Sequence, residues 1–95
     1  MDRVGISFKS PLLPDQIRVR YVEPLRDALE APHAGIYTNY VRRVDDDPQA
    51  PAEHLLVFLV RDFQAGLHLL RMKLEEIGQP QGMRLHNLEP SEPMY

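Results

Sequence analysis

The run His54-Leu55-Leu56-Val57-Phe58-Leu59-Val60 is apolar at odd and even positions alike, and nothing else restricts the folding of this 95-residue chain as strongly. A strand turns successive side chains to opposite faces, so Leu55, Val57 and Leu59 look one way and Leu56, Phe58 and Val60 the other. A segment apolar on both sides needs shelter on both. It falls far short of the ~20 apolar residues that span a bilayer.

The flanking segments supply the partners. Asp62 is a good N-cap, and after it Phe63, Leu67, Leu70, Leu74 and Ile77 recur at helical steps until Gly78 and Pro80 stop the helix. Val4, Ile6 and Phe8 alternate with Gly5 and Ser7 as a strand, closed by Pro11 and Pro14. The stretch 14–31 admits two readings. Ile17, Val19 and Tyr21 alternate with arginines, whereas Ile17, Tyr21, Leu25 and Leu29, with Ala28 beside them, step by four along a helix face. The preferred reading is a helix that starts near Asp15 and kinks at Pro24, because an interior proline loses a hydrogen bond and clashes one turn back, at ~3 kcal/mol. The other is a strand to Val22 and a short helix with Pro24 in its first turn. Ile36 to Val44, rich in Tyr and β-branched residues, is a strand joined by the polar loop Asp45–Ala52 to the apolar run. Met83 to Leu88 is a last short strand.

The order β-α-β-β-α-β predicts an α+β chain of the ferredoxin-like βαββαβ kind. Its four-stranded antiparallel sheet has the order 4-1-3-2, with two helices on one face. Residues 1–88 form this single domain, and 89–95 are a proline-containing C-terminal tail. Two helices shelter only one side of the sheet. Leu55, Val57 and Leu59 are left on the other, joined by Tyr37 and Val41 or by Ile36 and Tyr40. Burying each such side chain is worth roughly 1.5–3 kcal/mol, so a cover is expected: a second copy making a homodimer, a different protein, or the tail Pro93-Met94-Tyr95.

Familiar chemistry is absent from the sequence. There is no cysteine, so thiolate metal sites and disulfides are excluded. His33, His54, His68 and His86 show no metal-ligand spacing. Asp45-Asp46-Asp47 lacks the alternation, glycine and glutamate of a calcium loop. Ser7, Ser10 and Ser91 stand in no GxSxG elbow, and Gly78–Gly82 (GQPQG) lacks the lysine and spacing of a phosphate loop. No catalytic residue, metal or cofactor is expected. The net charge of −3 is the wrong sign for a broad phosphate-binding face. Tyr37, Tyr40 and Phe58 near Arg42, Arg43 and Arg61 are candidate stacking residues, but the RNA-binding Lys/Arg-Gly-aromatic pattern is missing. The N-terminus MDRVGISFK has no apolar signal segment, and a cytoplasmic protein is expected.

Two stretches, Glu23–Gly35 (EPLRDALEAPHAG) and Leu56–Leu85, with LVFLVRD leading into GLHLLRMKLEEIGQPQGMRL, carry a pattern of the form PLxxAL … GLxLLRxxLxxLGxPxG. About half the chain thereby resembles a group of small, mostly uncharacterised bacterial proteins, some similar to the immunity proteins encoded beside toxin genes. The resemblance implies a ferredoxin-like domain and supplies no catalytic residues. Here the group's glycine-rich second strand is the bulkier Gly35–Tyr40.

The functional expectation is a non-enzymatic protein-interaction protein, immunity-like, that holds a cationic toxin through its open sheet face and acidic hairpin. Tyr37, Tyr40, Asp45, Asp46, Asp47, Leu55, Val57 and Leu59 are the contact candidates. The alternative is a small-molecule-binding or enzymatic dimer with a cleft between paired sheets, into which His54, His86 and Arg84 would point.

Overall fold

The computed structural model describes residues 2–88. The tail 89–95, and with it the expectation that Pro93-Met94-Tyr95 covers the sheet, lies outside the described residues. The elements are β1 (Asp2–Ser10), α1 (Pro14–Ile17), a π-helical turn (Arg18–Val22), α2 (Glu23–Glu30), β2 (Gly35–Arg43), β3 (Ala52–Val60), α3 (Phe63–Ile77) and β4 (Arg84–Asn87). β1 and β3 extend beyond their apolar cores because ladder pairing continues to Ser10 and Ala52.

The strands form a single antiparallel sheet of order β2-β3-β1-β4, which reads 4-1-3-2 from the opposite edge. The helical segments pack on one side of it, giving an α+β fold. Val4, Ile6 and Phe8 of β1 and Leu56, Phe58 and Val60 of β3 meet Ile17, Tyr21, Leu25 and Leu29 from the first helical run and Leu70 and Leu74 from α3. Asp62 caps α3, its carboxylate accepting from the Ala65 N–H at 2.9 Å. Gly78, at φ +95°, ends it.

The stretch 14–30 is helical throughout, and Pro24 does not kink it in the expected way. Instead the five residues before Glu23 wind as a π-turn, in which the Glu23 N–H reaches back to the Arg18 carbonyl. The wider turn absorbs one extra residue, so Tyr21 and Val22 are both buried. Pro24 then stands immediately after this turn, as the second residue of α2.

β2 carries a bulge between Tyr37 and Asn39. Tyr37 pairs with Phe58 and Asn39 with Val57, which leaves Thr38 as the extra residue. Its neighbours stabilise it locally: the Thr38 hydroxyl donates to the Val57 carbonyl at 3.1 Å, and the Asn39 side chain accepts from the Tyr40 N–H at 2.9 Å. The inserted residue reverses the alternation of everything after it.

Candidate functional site

The bulge decides which side chains reach the sheet face opposite the helices. With regular alternation, Tyr37 and Tyr40 would point to opposite faces. With one residue inserted, both point to the helix side, and neither expected set, Tyr37 with Val41 nor Ile36 with Tyr40, occupies the open face. Tyr37 lies edge-on to Phe58, ring centroids 5.6 Å apart. Tyr40 stacks on His54 at 5.9 Å and 10°. Burial pushes both tyrosine hydroxyls above their ordinary range; at Tyr40 the nearby Arg42 opposes this and Tyr37 adds to it. As anchors on the open face they are therefore corrected: they complete the rim of the core.

His54 is also on the helix side and fully buried, so it cannot line a cleft on the open face. Its Nε2 lies 3.0 Å from the Ser10 carbonyl and its Nδ1 2.7 Å from the Tyr40 hydroxyl. A carbonyl only accepts, so Nε2 carries a hydrogen and donates to Ser10 while Nδ1 pairs with the Tyr40 hydroxyl, the hydroxyl donating wherever Nδ1 is the bare nitrogen.

The open face divides into two unlike halves. Across β2 and β3 it is apolar: Ile36 pairs with Leu59 and Val41 with Leu55, around a central Val57. Ile36 and Val41 remain 47% and 45% exposed, and Leu55 and Leu59 are half-buried. Val57, expected to lie uncovered with them, is already 93% enclosed by its neighbours, its relative exposure being 7%. Gly5, opposite it on β1, has no Cβ, and the Leu88 and Leu55 side chains lie down into that gap. The patch awaiting a cover is thus smaller than the sequence suggests.

The half formed by β1 and β4 is polar. Ser7 pairs with Arg84 and Gly5 with His86, and the Ser7 hydroxyl shares a 2.6 Å hydrogen bond with His86 Nε2. A groove of about 590 Å³ runs over this pair, lined by Lys9, Glu53, Leu55, Gln81, Arg84 and Leu88 among others. Neither Lys9 nor Arg84 has a carboxylate within 4.0 Å among the described residues. Ser7 and His86 are two members of a nucleophile–base relay, but among the described residues no carboxylate bonds the other ring nitrogen. No local motif marks Ser7, because its position diagonal to His86 arises from the β1–β4 register.

Asp45, Asp46 and Asp47 are exposed on the β2–β3 loop and do not line the groove. Asp45 accepts from the Asp47 N–H and Asp47 from the Gln49 N–H, each at 2.9 Å, so two of these carboxylates shape the turn. Among the described residues no cluster of His, Asp and Glu is placed to hold a metal ion, and no helix is long and apolar enough to cross a membrane. With the aromatic rings on the helix side, the open face has no base-stacking platform among the described residues. No protein-family model matches the chain, and a search of curated proteins found no match.

Proposed function

We propose that the chain is a non-enzymatic binding domain of the ferredoxin-like βαββαβ class that works through the sheet face opposite its helices. Its apolar half associates with a second copy of itself. The observation that carries this reading is the strip of Ile36, Val41, Leu55 and Leu59 across β2 and β3, of which Ile36 and Val41 stay exposed and Leu55 and Leu59 are half-buried. A second copy suits this face because a two-fold axis lays the same apolar side chains of the two chains against each other. Lys9 and Arg84 stand on the β1–β4 half, and Arg43, two residues past Val41 on the same face, lies at the end of the strip. A cationic partner of the kind an immunity-like inhibitor holds would instead engage the hairpin tip, where Asp45, Asp46 and Asp47 are exposed.

Sedimentation velocity over a concentration series tests this. The native chain is expected to shift from monomer to dimer. The variant Ile36→Lys/Val41→Lys is expected to stay monomeric with an unchanged circular dichroism spectrum, since both positions are exposed on an edge strand. A native chain that remains monomeric at NMR concentrations would overturn the reading.

A further inference from the structure

We infer that the groove on the β1–β4 half is a binding site for an amphipathic monocarboxylate, a single carboxylate head on a hydrocarbon body. Three observations converge. The groove, at about 590 Å³, falls in the size range of small-molecule sites, roughly 300–1,000 Å³. Its walls separate by chemistry: Leu55 and Leu88 are apolar, while Lys9, Arg84, Ser7 and His86 present polar atoms. Lys9 and Arg84 lie within one register step, Ser7 being the partner of Arg84 and Lys9 the next residue of β1 on that face.

The charge selects the head group. Lys9 and Arg84 lack ion-pair partners among the described residues. Glu53, directly opposite Lys9 on β3, is the groove's carboxylate. Two cations and one carboxylate leave one net positive charge, which matches a monoanion and not a phosphate dianion. The guanidinium fork of Arg84 suits bidentate contact with a carboxylate, and the Ser7–His86 pair supplies a hydrogen-bonding group beside it. Leu55 and Leu88 would receive the hydrocarbon.

The inference deepens the proposed role of this face and rests on it only in taking the face as the working surface. Decanoate titrated into the full chain, followed by ¹H–¹⁵N spectra, is the test, with 1-decanol and inorganic phosphate as controls. Saturable shifts are expected at Ser7, Leu55, Arg84, His86 and Leu88, and neither control should saturate them. Arg84→Gln should weaken decanoate about tenfold, the scale of one lost charge-assisted hydrogen bond. Lys9→Gln should weaken it several-fold, and both variants should keep the native spectrum elsewhere because these side chains are exposed. Shifts that never saturate, that fall on Ile36, Val41 and Leu59 instead, or that persist undiminished in Arg84→Gln would overturn the inference, as would phosphate competing as well as decanoate. Sedimentation of the same samples separates the two readings. A monomer that binds decanoate overturns only the self-association, and a dimer that does not bind it overturns only the ligand site.

Discussion

His54 shows how much one buried polar residue can organise. It lies between Phe8, at 5.5 Å between ring centroids, and Tyr40, at 5.9 Å, and both ring nitrogens are satisfied. Tyr40→Phe keeps the stacked ring but removes the partner of Nδ1, leaving a buried nitrogen unpaired. It should cost about 1–3 kcal/mol in urea denaturation. Tyr37→Phe, whose hydroxyl bonds no buried group among the described residues, should cost less. The same tyrosines set an alkaline limit. Burial holds both hydroxyls protonated above the ordinary value of 10.0, so the unfolded chain loses these protons first. Their contribution to stability is complete below that value and disappears as pH rises through the higher folded values. Denaturation midpoints measured from about pH 8 to pH 11 should fall at the upper end, and less steeply in Tyr40→Phe.

At the scale of elements, the contact between α3 and β3 depends on an absent side chain. A Cβ on Gly66 would sit 2.5 Å from Val60 Cγ1 and 2.6 Å from Val60 Cβ, well inside ordinary carbon contact, so the first turn of the helix lies directly on the end of the strand. In an isolated helix Ala is better than Gly by about 1 kcal/mol. Here Gly66→Ala should instead destabilise by about 1–3 kcal/mol through overpacking. The double variant Gly66→Ala/Val60→Ala should lose less than the sum of the single changes in urea midpoint experiments. α3 was legible from its spacing, cap and glycine stop because each is a local signal. The π-turn was not. The steps of Ile17, Tyr21, Leu25 and Leu29 identify a helix and Pro24 identifies a disturbance, but whether the backbone answers with a kink or a wider turn depends on burying both Tyr21 and Val22 against the sheet.

Across the whole molecule, the open face separates an apolar half from a cationic one within a chain whose net charge is −3. The proposed dimer uses the apolar half, so added salt should leave self-association intact or strengthen it, a readout that sedimentation supplies directly. An interface held by exposed ion pairs would weaken instead. The acidic loop is set apart at the hairpin tip, and its carboxylates belong in part to the turn itself.

Hydrophobic periodicity by itself determined the element order, the α+β class, the division of the apolar run into Leu55, Val57 and Leu59 on one side and Leu56, Phe58 and Val60 on the other, and the existence of a second apolar face, because each follows from local spacing of side chains along a strand or helix. Only the tertiary structure decided what that second face presents. One inserted residue at Thr38 turned both tyrosines inward, and the β1–β4 register brought Ser7 to His86. Bulges and register are settled by pairing between segments far apart in the chain, and that pairing leaves no periodic trace in either strand alone.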